Sequence, residues 1–298
     1  MNKRKIKIAK AIRLDYTLKS IKDEDISIVE YPALYRQFDH DGKLLEELSY
    51  DSNGNLAEKY SFVYKDGILK EQIIFMDDES IGEHKFFEYS DGRISKIITK
   101  YAENYSDETA ISYDAEGRLI SKITYDEGEE GEKHLYEYSN DSNTYKIFDD
   151  YGKLETQEKR KFSSEGNLVQ LVITDYKDDI ETTTDYTYND KNFLIEEISR
   201  NKKNLIISNI IYSYDEKGNI EKSVLSTGKT IITSSYKYDD HNNEIEHIES
   251  NKEGEINHSI VRTYDEDGNI LTTEAEIFMH GMGIDSKYAL KYDYIFFE

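Results

Sequence analysis

Three observations on this sequence predict an all-β fold, a single antiparallel meander of about ten tandem β-hairpin repeats of ~24–26 residues each. Aromatic residues recur at regular intervals: Phe38, Tyr64, Tyr89, Tyr113, Tyr138, Phe162, Tyr188, Tyr214, Tyr238 and Tyr264, with Tyr288 continuing the series. Most of them open an acidic turn that contains Gly or Asn and ends in Leu or Ile, as in Tyr113-Asp-Ala-Glu-Gly-Arg-Leu119 and Tyr264-Asp-Glu-Asp-Gly-Asn-Ile270. Between turns the polarity alternates with period 2, as half-buried strands require.

Residues 1–35 lack the repeat and are expected to form an N-terminal cap over the first edge, which an open-ended array needs. The array is expected over 36–298. In its first turn series Gly stands at the fifth motif position, where a tight reversal needs positive φ. Asn192 and Asn242 occupy that position in two copies, so the turn is expected to persist without glycine. A second series falls half a period later, with Tyr50-Asp-Ser-Asn-Gly-Asn-Leu56 and Phe148-Asp-Asp-Tyr-Gly-Lys-Leu154 as the clear copies. A turn about every 12 residues leaves strands of about eight. The stretch from Phe278 to Glu298, with Tyr292 and Tyr294, is expected to close the array as a capping strand.

About twenty strands at roughly 4.8 Å would make a flat sheet nearly 100 Å wide. Strand twist does not permit such a sheet, so a strongly coiled sheet or partial shell is expected. One proline in the chain, Pro32, fits continuous strand pairing.

The formal net charge of −24 repels nucleic acid and anionic membranes and attracts basic proteins. The chain has no cysteine, which removes disulfides and thiolate metal sites and points to a reducing compartment. From Met1 to Lys22 eight Lys or Arg accompany one Asp, and no continuous apolar stretch suggests a secretory signal. Apolar residues are dispersed in short runs. These features together lead to the expectation of a cytoplasmic protein with neither a nucleic-acid nor a membrane partner.

The phased Tyr-Asp-x-x-Gly-Asn/Arg-Leu/Ile motif, over roughly residues 38–270, resembles the YD repeat of the Rhs-type shell proteins of bacteria. The resemblance implies a Tyr-rich β-shell architecture and an association with toxins. This chain would be a short, leaderless member without a toxin domain.

No nucleophile elbow, zinc-protease motif or phosphate loop is present, and the seven histidines are dispersed. No catalytic residue, cofactor or metal site is expected. Asp265, Asp267, Gly268 and Glu274 match part of a calcium-binding EF-hand loop, but Thr263 stands at the first ligand position. The phasing instead aligns turn carboxylates along one rim: Asp114, Glu116, Asp215, Glu216, Asp239, Asp240, Asp265 and Asp267 are the candidate partner-binding residues. The expected function is non-enzymatic binding of another protein, basic and toxin-like, as in a bacterial immunity protein. A structural shell or scaffold component of a toxin or secretion system is one alternative, and a carbohydrate-binding or carbohydrate-active protein is the other.

Overall fold

The structure is a computed structural model. It describes residues 3–20, 23–101, 105–280 and 286–298, with the backbone alone at 18–20 and 23–25. Two long strands open the chain, β1 (Ile6–Ser20) and β2 (Asp23–Phe38). Shorter ones follow: β3 (Leu44–Tyr50), β4 (Leu56–Lys65), β5 (Ile68–Phe75), β6 (Ile81–Ser90), β7 (Arg93–Tyr101), β8 (Ser106–Tyr113), β9 (Leu119–Asp126), β10 (Glu129–Tyr138) and β11 (Ser142–Phe148). The pattern continues through β12 (Leu154–Phe162), β13 (Leu168–Asp175), β14 (Ile180–Tyr188), β15 (Leu194–Asn201), β16 (Ile206–Tyr214) and β17 (Ile220–Thr227). It ends with β18 (Thr230–Tyr238), β19 (Glu244–Asn251), β20 (Ile256–Tyr264), β21 (Ile270–Ile277) and β22 (Ser286–Phe296). Within the segment expected as a cap, 1–2 and 21–22 lie outside the described residues; the rest contains β1 and most of β2.

Each strand pairs antiparallel with the next, as the alternating pattern requires. The expected open sheet is corrected, because the two ends of the meander meet. β1 pairs with β22 from Ile6 opposite Phe296 to Tyr16 opposite Lys287, closing 22 strands into a barrel. Closure satisfies the backbone groups that two free edges would leave unpaired.

The turns explain the register. In the longer turns the first residue donates its N–H to the fifth residue's carbonyl, and the fourth donates to the first, as at Asp215, Gly218 and Asn219. The ladder slips by one residue beside each such turn, for example between Ser213 and Tyr214, so a bulge accompanies the reversal. Asn192 and Asn242 adopt φ of 69° and 64°, the conformation Gly218 adopts at 90°. Asp66-Gly67 and Asp91-Gly92 make two-residue turns with both residues at positive φ.

The aromatic series holds successive repeats together. From Tyr89 onward, the hydroxyl of each motif tyrosine donates to the carbonyl of the residue that ends the preceding motif. Tyr138 reaches Leu119, Tyr188 reaches Leu168, Tyr214 reaches Leu194 and Tyr264 reaches Glu244, at 2.5–2.9 Å. The last member is Tyr294, donating to Ile270 at 2.8 Å, and not Tyr288. The extra residues after β21 displace the final copy.

The barrel is one sheet thick. Twenty-two strands at about 4.8 Å give a perimeter of roughly 105 Å, or about 34 Å across before tilt widens it. Its accessible surface is 19425 Å², whereas a compact monomer of 34.9 kDa exposes about 13,000 Å². The excess is the second sheet face, which a two-layer fold would bury. Among the described residues the buried apolar set is small: Ala11, Leu14, Ile111, Ala275 and Ala289. The tyrosine ladder and backbone pairing therefore carry much of the cohesion that a packed core supplies elsewhere.

Candidate acidic mouth

The turns after the tyrosine series, together with the N-terminal residues Lys3 to Lys5, form one mouth of the barrel. The eight candidate carboxylates lie on this mouth but divide into three roles. Asp114, Asp215, Asp239 and Asp265 stand at the first turn position and accept backbone N–H groups of their own turns. Asp114 accepts from Arg118, Asp215 from Asn219, Asp239 from His241 and Asn243, and Asp265 from Asp267 and Asn269, at 2.8–2.9 Å. Bonds to Asn219 and Asn243 lower the Asp215 and Asp239 carboxyls. At Asp114 and Asp265 burial pushes upward, and the turn N–H bonds with Arg118 or Asn269 overcome it, so both are lowered. These four residues are occupied in holding the turn.

Glu116, Glu216 and Asp240 project from hairpin tips into solvent. The eighth candidate, Asp267, does not: its side chain is 13% exposed and accepts from Arg4 Nε at 2.6 Å. Position 266 carries the exposed carboxylate of that hairpin, a residue the sequence reading passed over. Each of the ten hairpins at this mouth presents one exposed carboxylate: Asp41, Asp66, Asp91, Glu116, Asp141, Glu165, Asp190, Glu216, Asp240 and Glu266. Consecutive hairpins are about 10 Å apart, which makes this a ring of negative charge.

Arg4 interrupts the ring at the barrel seam. Its guanidinium lies near Asp265 and Glu266 as well as Asp267, at 3.9 and 3.7 Å. It also stacks over Phe296 at 4.1 Å. Lys5 donates to the His40 carbonyl, and His40 stacks on Phe297 at 3.9 Å. The basic N-terminus is therefore used to tie the first and last strands to neighbouring turns. Beside it lies a cleft of 880 Å³, lined by Lys237, Asp239, Glu246, Arg262, Asp265 and Glu266 among others.

The histidines are dispersed in sequence, but the fold brings two of them together. His241 sits on a turn, whereas His247 stacks on Tyr236 at 4.6 Å and meets His258 edge-on at 6.0 Å. Burial lowers the His247 imidazole. The pairing of β19 with β20 brings these histidines together, and hairpin register was the signal that could have found them. Among the described residues no group of three or more His, Asp or Glu is placed to hold a metal ion.

Comparison with known proteins matches the MORN repeat variant at residues 33–52 and 46–64. No curated protein matches the sequence. Solved structures that resemble the chain include a porin-like protein from Bacteroides uniformis, at 14% identity and a TM-score of 0.36, covering 72% of this chain and 95% of that one. Another is a porin-like protein from Bacteroides vulgatus, at 10% identity and a TM-score of 0.27, covering 88% and 99%.

These findings correct two expectations. The repeat family matched is the MORN variant, and nothing found supports the YD-repeat or Rhs-like resemblance, so the immunity and toxin associations drawn from it are withdrawn. The tyrosine motif had suggested that family, but here it reports the hairpin geometry that any such repeat shares. The cytoplasmic location is also withdrawn. It leaned on the lack of a long apolar run, yet the chain closes into a β-barrel, an architecture that needs no such run whatever its location. No helix among the described residues is long and apolar enough to cross a membrane, but barrels cross with strands, so that criterion does not bear on this architecture.

Proposed function

We propose that this protein is a non-enzymatic binding barrel that holds a basic protein partner at its acidic mouth. The observation that carries the reading is the ring of exposed carboxylates, one per hairpin, most of them on turns whose first side chain accepts N–H groups of its own turn. A basic surface meeting such a ring gains many weak, long-range attractions that speed and orient docking. Arg4 illustrates the chemistry within the chain, since one such turn receives its guanidinium.

The test is capture of partners on immobilised protein, with the eluate identified by mass. The fourfold variant Glu116→Gln, Glu216→Gln, Asp240→Asn and Glu266→Gln serves as control. A basic protein retained at low salt is expected to be released near 1 M salt, where the screening length falls to about 3 Å, and to be lost from the variant. Retention indifferent to both salt and the substitutions would contradict the reading.

A second reading, enclosure of another chain, is favoured by the hollow single-layer barrel. It predicts a co-purifying polypeptide visible by native mass spectrometry that resists protease until the barrel unfolds.

A further inference from the structure

Among the described residues, the longest stretch of strand edge that closure of the barrel leaves uncovered lies on β2. β2 pairs with β1 from Asp23 to Gln37, but with β3 only from Leu34 to Phe38. Its earlier half therefore has a neighbour on one side and, among the described residues, no strand on the other. On the far side of the hairpin β1 runs only four residues past its last pairing with β22. We propose that the free edge of β2 from Ile26 to Tyr31 receives an extended, basic segment of a partner protein as an added antiparallel strand.

Three observations support this occupant. First, a strand edge offers alternating unpaired N–H and C=O groups, which only another extended backbone satisfies in full. Pro32 ends the edge, and the turn at Gly54 packs against it, so the docking length is about six residues. Second, the edge is apolar and exposed on both faces: Ile26, Ile28 and Val29 are 58%, 56% and 47% accessible. No lysine within Ile26–Tyr31 blunts the strand against pairing. Third, its charge selects the partner. Glu30, its penultimate residue, is exposed, and Asp51 stands on the adjoining turn. Of the cations beside the edge, Arg13, opposite Tyr31, is bonded to Asp15 at 2.7 Å, where Tyr31 also donates at 2.7 Å, and Lys287, which lines a cleft with Ile26, is bonded to Glu276 at 2.7 Å. A second copy of this chain would bring another net −24 to the edge, whereas a strand alternating β-branched residues with Lys or Arg complements it. The edge stands on backbone geometry and does not rest on the acidic mouth.

The experiment uses the full chain and a fluorescein-labelled decapeptide alternating Val or Thr with Lys, read by anisotropy. Saturable one-to-one binding is expected. A peptide N-methylated at alternate residues is expected to bind roughly tenfold or more weakly, because its amides along one edge are blocked. The double variant Ile26→Lys and Ile28→Lys is expected to show a similar loss, while the fourfold mouth variant binds normally. No binding would overturn the proposal, as would binding indifferent to both N-methylation and the edge substitutions, or binding lost only in the mouth variant. Dimerisation of the free chain that the edge substitutions abolish would also overturn it, by assigning the edge to a second copy.

Discussion

Tyr294 donates its hydroxyl to the Ile270 carbonyl at 2.8 Å, the same contact that Tyr264 makes with Glu244 and Tyr214 with Leu194. The closing strand is thus held by the device that holds each interior repeat. A neutral hydrogen bond of this kind contributes about 1 kcal/mol. Tyr214→Phe and Tyr264→Phe are each expected to lower unfolding stability by about that much in urea titrations, with the barrel retained. Phe162 already occupies one such position, so the ring alone is compatible with the fold.

The ladder also sets an alkaline limit. Burial raises the phenols of Tyr188, Tyr214, Tyr238 and Tyr264, and burial together with Tyr292 and Asp265 pushes Tyr294 up to about 12. A phenol raised in the folded state contributes its stability in full below about pH 10 and loses it as pH climbs through the folded value. Circular dichroism melts are expected to hold their midpoint up to about pH 10 and fall steeply towards 12. A constant midpoint across that window would remove the phenols from the account of cohesion.

At the turns, Gly218 combines φ of 90° with a neighbour: a Cβ there would lie 2.9 Å from the Phe193 ring. Gly218→Ala is expected to cost about 1–2 kcal/mol, while Asn192→Gly changes stability by less than about 1 kcal/mol. Paired urea titrations of the two variants separate backbone strain from general sensitivity of the turns.

Much of this was legible in the sequence because hairpin chemistry is local. Gly218 and Asn242 announce positive φ, and an Asp such as Asp215 announces a turn that accepts its own N–H groups. Closure was not legible. The pairing of Ile6 with Phe296 spans almost the whole chain, and the alternation of lysines with Ile6, Ile8 and Ile12 reads equally well as a cap. The extra residues after β21 made Tyr288 look like the last copy, although Tyr294 is. Five of the eight rim candidates were misread for a related reason: composition marks Asp114, Asp265 and Asp267 as acidic, but only the turn and seam geometry shows that they are already engaged.

At the seam, Arg4→Gln removes the guanidinium from Asp265, Glu266 and Asp267. Hydrogen exchange is expected to accelerate in β1 and β22 while β12 to β16 keep their protection. Equal acceleration everywhere would mean that Arg4 supports the fold as a whole and not the seam.

The central claim is closure, and Lys10 and Asp293 report on it most directly. They are exposed, sit opposite one another in the β1–β22 register, and can be replaced by cysteines in a chain that has none. Spin labels at Lys10→Cys and Asp293→Cys are expected to give a single separation below about 20 Å, since paired strands lie about 4.8 Å apart. A separation of several tens of ångströms, approaching the roughly 100 Å width of an unrolled sheet, would contradict the closed barrel and leave the array open.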